Sequence, residues 1–431
     1  MNIALVVFVV SFILVFIIRI PIAAGMFMSS IFYFSLAKGP IADISMVATQ
    51  FLTSLNSSFV LIAVPLFVFM AEIMNTGKVT DMIFSFATAL VGRRRGGLGH
   101  VNVVASIIFS GMTGSALADA SGLGMMEIRA MKQHGYDDGF SCAITAASAT
   151  IGPVFPPSIP MIFYAMLSGA SVGALFLGGM LPGILVGLAL MAYIGYVANK
   201  RGYARGQKFD FRQLMVITVK AAPALFSVVV LLGGIYSGIV TPTEAGALAS
   251  LYAIIISVFV YRAMGWRDFF RILAATVKTT GILSLLVGSA YVFSYIVAIE
   301  RIPNAVAEFL LNVTTNKYLL LLLVNVIFIV LGMFVDTMTI ILVFIPIVLP
   351  LIEALGIDLV HFGVVVTLNM MIGLSTPPFG MLLFVVSGIS GTPLKAVIQS
   401  ITPMLFVLFG VLFLITYIPS LVTFIPNYFG M

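Results

Sequence analysis

Long apolar runs, separated by short polar connections, fill almost the whole chain. Continuous runs cover residues 3–18, 22–36, 46–74, 140–167, 172–198, 214–239, 243–260, 270–299, 359–387 and 396–428. Two further apolar stretches, 101–132 and 318–355, are interrupted near their middles. A membrane-spanning helix needs about 20 apolar residues, so the pattern predicts about ten crossings and two irregular segments. No stretch is polar enough to predict a separate soluble domain.

The composition indicates the same class of protein. Of the 431 residues, 61% are hydrophobic and 8% are charged, which is too few charges to cover a soluble surface. The first apolar run lacks the basic start and the cleavage pattern of a signal peptide, so we expect a retained helix. The single cysteine excludes disulfides, and the three histidines lack ligand spacing, so neither zinc nor another metalloenzyme centre is expected.

Glycines and prolines recur at a constant offset of 221 residues. Gly111 recurs as Gly332, and Gly152 recurs as Gly373. Gly152 and Gly373 are each followed by a Pro-Pro pair. These residue types fix backbone breaks, so a pattern of interruptions is repeated. Chance matches in a Gly-rich chain are the alternative, but the offset holds along the whole half. We therefore predict two repeats, residues 1–210 and 211–431.

Basic residues in the connections predict how the halves are oriented. Arg93, Arg94 and Arg95 follow the run 46–74, whereas the corresponding run 270–299 is followed by only Arg301 and Lys317. Because positively charged loops stay in the cytoplasm, we expect the halves to be inverted. With both termini on the periplasmic side, all basic residues except Lys38, Arg301 and Lys317 fall on or near the cytoplasmic side.

An inverted repeat requires an odd number of crossings in each half. Five full spans satisfy this only if each interrupted stretch is a re-entrant hairpin, at 100–135 and at 317–356. A helix broken by Gly and Pro follows each hairpin, at 140–167 and at 359–387. The predicted fold is an all-α integral membrane protein with two inverted-topology repeats, each with five crossings, a hairpin and a broken helix.

Oxygen-bearing side chains cluster at the interruptions. The first hairpin contains Thr113, Ser115, Asp119 and Ser121 among small residues, and the second contains Asp336. An acid inside the membrane is costly and is a functional hypothesis by default. Hydroxyl, carbonyl and carboxylate oxygens suit a hard cation such as sodium, although close packing is the alternative explanation for the glycines.

The paired prolines predict discontinuous helices. Proline removes a backbone donor and frees a carbonyl one turn earlier, and two prolines after a glycine indicate more than a simple kink. In such a layout, half-helix N-termini bind an anion while free carbonyls bind sodium.

Other polar features have simpler explanations. Glu244 follows Thr241-Pro242, the pattern of a helix start, so we favour capping over function. Polar stripes over 78–91 and 300–312 predict short helices at the membrane interface. No P-loop is present in the sequence, so the chain does not hydrolyse ATP by one, and energy must come from a gradient or a partner.

Four segments together resemble the large membrane subunit of tripartite ATP-independent periplasmic (TRAP) transporters, over the whole chain: residues 114–124, 152–158, 241–247 and 373–380. The resemblance implies a bacterial inner-membrane protein, not an enzyme, that imports an organic anion such as a C4-dicarboxylate, a keto acid or sialic acid. It implies coupling to two or more sodium ions and an elevator mechanism. The implied partners are a small four-helix membrane (Q) subunit as a separate chain and a soluble periplasmic substrate-binding (P) protein, with neither nucleotide nor nucleic acid.

The resemblance also implies individual site residues. One sodium site would use Thr113, Ser115, Gly152, Phe155 and Pro157. The other would use Gly332, Met333, Asp336, Thr376 and Phe379. The solute would be bound near Asp119, Ser121, Ser158, Pro156 and Pro377.

No Arg or Lys falls within these cores, so helix N-termini and sodium must supply the positive field. A stand-alone sodium/carboxylate symporter without a binding protein is the main alternative. An intramembrane enzyme or an anion channel is a different class, and no histidine lies near either hairpin tip to serve as a catalytic base.

Overall fold

The computed structural model describes residues 3–18, 20–37, 43–56, 60–206 and 211–431. Regular structure in these ranges is helical. The α-helices, numbered in chain order, are α1 Ile3–Ile18, α2 Ile22–Leu36, α3 Ser45–Asn56, α4 Val60–Met74, α5 Gly77–Val91, α6 Gly97–Thr113, α7 Ala116–Ser121, α8 Leu123–Gln133, α9 Asp138–Ala149, α10 Ile159–Ser168, α11 Val172–Arg201, α12 Phe211–Tyr236, α13 Pro242–Ile255, α14 Trp266–Ile299, α15 Ile302–Val313, α16 Lys317–Phe334, α17 Thr337–Ala354, α18 Leu359–Leu374, α19 Met381–Ser390, α20 Leu394–Tyr417 and α21 Ser420–Tyr428. A π-helical turn, Ile256–Val260, extends α13.

Seven helices of the described ranges are long and apolar enough to cross a membrane, namely α11, α12, α13 with its π turn, α14, α16, α17 and α20. The helix that ends at Met74 and the following α5 are bent by 75° and make an eighth if they are counted as one span. Shorter apolar helices, such as α10 and α18, arise where breaks divide an apolar run. The all-α membrane fold is thus confirmed, while the inverted topology and five crossings per half stay predictions. Lys38, which we used for orientation, lies outside the described residues.

The helices pack in two groups. The first group, which we call the framework bundle, consists of α1–α4 and α12–α14, with α13 against α4 and α14 against α2 and α3. The second, the core bundle, consists of α6–α11 and α16–α21, with α20 against α9, α16 against α18 and α11 against α21. The bundles contact each other directly where α4 packs against α6 and α10 and where α14 packs against α17. α5 contacts both α6 and α12, and α15 contacts both α17 and α14, so these two helices also bridge the bundles.

The helices predicted over 78–91 and 300–312 are these bridging helices, α5 and α15. The predicted role of Glu244 is also confirmed: Thr241 caps α13, and its backbone N–H donates to Glu244 Oε2 at 2.8 Å. The Glu244 N–H donates in return to Thr241 Oγ1 at 3.3 Å, which completes a capping box.

The predicted hairpins and broken helices correspond to groups of helices in the core bundle. The first hairpin consists of α6, α7 and α8, and the second of α16 and α17. Residues 150–158 separate α9 from α10, and residues 375–380 separate α18 from α19. Both Pro-Pro bonds in these breaks, Pro156-Pro157 and Pro377-Pro378, are cis.

Candidate functional site

The tip of the first hairpin fits closely against the first helix break. Gly114 has a left-handed conformation (φ 59°), and a Cβ there would collide with the carbonyl oxygen of Pro157. A Cβ on Gly152 would lie 3.3 Å from the carbonyl carbon of Ser115. Gly114 therefore has to be glycine, and Gly152 makes a close approach that a Cβ would crowd, so these two glycines bring the hairpin backbone onto the broken helix.

Oxygen atoms with lone pairs to spare lie at this contact. Thr113 donates its hydroxyl to the carbonyl of Phe109 at 3.2 Å, and Ser115 Oγ accepts the Ala118 N–H at 3.3 Å, so each oxygen can accept a further interaction. Residue 156 is proline, so the Gly152 carbonyl has no helical donor from that position.

Phe155 and Pro157 complete the five residues of the first implied sodium site. Phe155 packs against α11, where a Cβ on Gly183 would lie 3.1 Å from the Phe155 Cβ. Four of the five residues (Thr113, Ser115, Gly152 and Pro157) therefore meet at the hairpin tip, and the side chain of Phe155 points toward α11.

The second hairpin meets its own helix break in a similar way. A Cβ on Gly373 would lie 2.7 Å from the Cα of Gly332. Asp336 caps α17: Oδ1 accepts the Thr339 N–H at 3.1 Å, and Oδ2 accepts the Thr339 hydroxyl. The Asp336 carboxylate is half-buried and makes no ion pair within the described residues.

The other residues of the second implied sodium site surround this contact. Thr376 is buried and donates to the Ile372 carbonyl at 2.6 Å. The ring of Phe379 lies 5.4 Å from that of Phe334, centroid to centroid. A cavity of about 290 Å³ here is lined in part by Gly332, Met333 and Phe379.

A central cavity of about 120 Å³ lies between the two hairpins and the two broken helices. Ser115 and Asp336, one from each predicted sodium site, both line it. Its other lining residues are mainly apolar, and none is Lys or Arg. Met381 and Leu374 line both this cavity and the one beside Phe379, so the two cavities adjoin.

Four helices begin at the central cavity. The first residues of α7, α10, α17 and α19 are Ala116, Ile159, Thr337 and Met381, and all four line it. The unpaired backbone N–H groups of a helix start give it a partial positive charge. The backbone dipoles of these helix starts therefore contribute a positive field to the cavity, which the Asp336 carboxylate in its wall opposes.

The predicted solute residues are not among those that line this cavity. Asp119 is 2% exposed, Ser158 is buried and caps α10, and Pro156 is buried. Ser121 donates its hydroxyl to the Leu117 carbonyl at 2.6 Å, and Pro377 is half-buried. A solute role for these five residues stays a prediction.

Sequence reasoning missed three methionines of the cavity wall, Met338, Met371 and Met381. The chain has 24 methionines, so residue type alone gives no signal. Their positions in the sequence give a signal, because Met338 and Met381 lie in the first turn of helices that follow a predicted break.

Nearly the whole chain is similar to known proteins. Residues 9–421 match the family model of the tripartite ATP-independent periplasmic transporter, DctM component. The chain is 43% identical over 386 residues to the sialic acid TRAP transporter large permease protein SiaM of Vibrio cholerae, covering 90% of each chain. It is 37% identical over 376 residues to the C4-dicarboxylate TRAP transporter large permease protein DctM of Pseudomonas aeruginosa, covering 87% of this chain and 88% of that protein.

The fold is similar to that of a solved transporter. The crystal structure of the Alcanivorax borkumensis YdaH transporter superposes with a TM-score of 0.62 at 14% identity, over 92% of this chain and 97% of that one. At this identity the likeness shows the fold alone. The family match and the permease relatives show more: the chain belongs to the DctM component family of tripartite ATP-independent periplasmic transporters, and it is a large permease subunit rather than an enzyme.

Proposed function

We propose that the protein imports a small organic carboxylate across the bacterial inner membrane, driven by sodium, with the central cavity as the anion site. The observation that carries this proposal is the convergence of helix starts on a cavity without basic side chains. α10, α17 and α19 each have ten residues or more, long enough for the dipole of the helix start to stabilise an anion.

The relatives narrow the solute class. One is named for sialic acid and one for C4-dicarboxylates, and both names denote carboxylates. A wall with methionines and few polar side chains leaves recognition of the carboxylate to backbone N–H groups. We therefore propose a carboxylate solute, with sialic acid and C4-dicarboxylates as the two candidates.

Two sodium ions are proposed at the hairpin tips. The first would use the Thr113 and Ser115 oxygens with the Gly152 carbonyl, and the second would use Asp336 with carbonyls near Gly332 and Thr376. The residues fit a hard cation, because hydroxyl, carbonyl and carboxylate oxygens occur where glycines allow the hairpin backbone to approach the broken helix. Sodium at these positions would also add positive charge beside the anion.

The two bundles support a proposed elevator. The core bundle would carry the cavity across the membrane, while the framework bundle would stay fixed with the small membrane subunit. α5 and α15 contact both bundles and would take up the displacement. A soluble periplasmic protein would deliver the solute, and both chain termini would lie on the periplasmic side.

Reconstituted transport tests the proposal. The large subunit, the small subunit and the solute-loaded binding protein are placed in proteoliposomes, with sialic acid and succinate as alternative solutes. We expect accumulation of one of them only with an inward sodium gradient and with all three components. Accumulation at the full rate by the large subunit alone would instead favour the stand-alone symporter, and accumulation without sodium would contradict the coupling.

A further inference from the structure

A second group of polar side chains is buried inside the first hairpin, away from the central cavity. Asp119 on α7 and Glu127 on α8 are 2% and 1% exposed. Asn102 on α6 and Thr145 on α9 are equally buried beside them. None of these residues lines the central cavity.

A chain of hydrogen bonds connects the group. Ser106 donates to Ser148 Oγ at 3.1 Å, and Ser148 donates to Asn102 Oδ1 at 2.6 Å. The Asn102 amide donates to Glu127 Oε2 at 2.6 Å and to Thr145 Oγ1 at 2.8 Å. The Thr145 hydroxyl donates to the Ser141 carbonyl at 3.0 Å, so every donor of these side chains has an acceptor.

Three carboxylate oxygens receive nothing from this chain. Glu127 Oε1 and both oxygens of Asp119 are buried without a hydrogen-bond partner in the part of the chain that the structure describes. The Ser106 hydroxyl is close enough to Asp119 to donate to its carboxylate in place of Ser148, while Asp119 and Glu127 repel each other. Even with that hydrogen bond, the two acids share one low-dielectric region with two carboxylate oxygens that have no donor.

No basic side chain of the described ranges forms an ion pair with Asp119 or Glu127. The ion pairs of the described residues join Lys132 to Asp138, Arg201 to Asp137 and Arg271 to Asp268, and none includes Asp119 or Glu127. An unpaired buried carboxylate costs several kcal/mol. Water would satisfy the lone pairs but would leave the charge, so either a proton or a bound cation must neutralise the group.

The internal repeat provides a control within the same chain. At the offset of 221 residues, Asp119, Glu127 and Thr145 correspond to Ile340, Val348 and Val366, which are all buried. Asn102 and Ser106 correspond to Leu323 and Ile327. The second half has a buried polar pair of its own, since Asn369 at the position of Ser148 donates to Asn325 Oδ1 at 2.8 Å. It has no acid at the positions of Asp119 and Glu127, so helix packing does not require the two carboxylates, and function is the better explanation for them.

The choice of ion follows from the unused acceptors. A single proton, held by one acid and donated to an unused oxygen of the other, would still leave one carboxylate charge in the group. A hard metal cation satisfies the charge and several oxygens together. We infer that Asp119 and Glu127 form a third sodium site, distinct from the two hairpin-tip sites and without a counterpart in the second half. This inference deepens the proposed sodium coupling and rests on it.

Counting bound sodium tests the site without transport. Purified transporter complex is equilibrated with radioactive ²²Na⁺ in choline buffer, and sodium bound per large subunit is measured at saturation. We expect three sodium ions for the natural protein, and two for Glu127→Gln, which keeps the acceptor for Asn102. Glu72→Gln, a half-buried acid in α4 outside the group, is the matched control and should keep three.

The possible results separate this inference from the proposed function. A count of two for the natural protein, falling to one in Asp336→Asn, would remove the third site and leave the coupling intact. No bound sodium in the natural protein would contradict the coupling itself. An unchanged sodium count in a folded Glu127→Gln would overturn the assignment. It would also be overturned if the difference in thermal stability between Glu127→Gln and the natural protein depended on pH but not on sodium, because a proton would then neutralise Glu127. A count of two for the natural protein overturns the site even if the variant fails to fold.

Discussion

Ser115 and Asp336 are 221 residues apart and hold the same position in the two hairpins. Each precedes the helix that leaves the hairpin bend, and each accepts the backbone N–H three residues later, at 3.3 Å and 3.1 Å respectively. Both side chains line the central cavity. The two halves therefore present equivalent caps to one cavity, one neutral and one acidic.

This difference in charge gives the two proposed sodium sites different strengths. Asp336 brings a formal negative charge to the second site, while Ser115 brings only a hydroxyl dipole to the first. A charge-assisted interaction is about twice as strong as a neutral one. We expect the second site to depend more heavily on its capping residue than the first.

Asp336→Asn should raise the sodium concentration needed for half-maximal uptake. The amide keeps the shape and one oxygen but loses the charge that balances the cation. Loss of one charge-assisted ligand costs about 1.5–3 kcal/mol, or roughly ten- to over a hundredfold in sodium affinity. Sodium titration of uptake, normalised to inserted protein, measures the shift.

The control for this variant is Asp268→Asn. Asp268 is a solvent-accessible acid at the start of α14 that pairs with Arg271 at 3.2 Å. Its neutralisation should leave the sodium titration unchanged. If a well-folded Asp336→Asn also kept the natural half-saturation, Asp336 would be a helix cap alone.

Ser115→Ala should have a smaller effect in the same titration. A neutral hydroxyl ligand contributes about 0.5–1.5 kcal/mol, which corresponds to roughly two- to tenfold in sodium affinity. The cap to Ala118 is lost as well, so thermal stability is measured in parallel. A larger sodium shift than that of Asp336→Asn would reverse the predicted order of the two sites.

Gly373→Ala should separate the second hairpin from its broken helix. The added Cβ would lie 2.7 Å from the Gly332 Cα, and backbone on both sides cannot yield as a flexible side chain would. Overpacking of this kind costs about 1–3 kcal/mol. We expect lower thermal stability and loss of sodium binding at the second site.

Gly388→Ala in α19 is the matched control, because a Cβ there meets nothing within 4 Å. Alanine is a better helix former than glycine, so this variant should be neutral or slightly more stable. If Gly373→Ala kept the sodium binding and the thermal stability of the natural protein, close contact between Gly332 in the hairpin and Gly373 in the broken helix would not be needed.

Local patterns predicted the positions where the backbone is interrupted better than they predicted the number of spans. Gly152 and Gly373 with their prolines marked both breaks, because proline and glycine act on the backbone directly. The run 140–167, by contrast, looked continuous in hydrophobicity although the structure divides it into α9 and α10. Hydropathy measures transfer to lipid and does not indicate where a helix ends.

The site was predictable only where function leaves a local signature. Asp336 was found because an acid in an apolar hairpin is costly wherever it lies. Glu127 was missed because Arg129 and Lys132 follow it closely, which is typical of an acid at the membrane interface, and because its partner Asn102 is 25 residues away. Comparison with apolar Val348 at the repeat offset would have identified Glu127 from the sequence.

Thr241→Ala should lower thermal stability without changing the sodium titration. The variant loses the side-chain half of the capping box with Glu244 at the start of α13. Loss of such an N-cap costs about 0.5–2 kcal/mol. A thermal shift assay and sodium-dependent uptake are measured on the same preparation. A raised sodium requirement would mean that this segment of the framework bundle acts on the coupling ion.

Labelling of single cysteines tests the inverted topology. Cys142 is buried, so the background is Cys142→Ala, and new cysteines replace Arg94 and Asn316, which are both exposed. Arg94 follows α5 and Asn316 follows α15, the two helices that bridge the bundles. If the halves are inverted, these equivalent connections lie on opposite faces of the membrane. A membrane-impermeant maleimide applied to intact cells should then label the Asn316 position alone, and the Arg94 position should react only after permeabilisation. Labelling of both positions from outside would place both connections on one face, and the two halves would then have parallel rather than inverted topology.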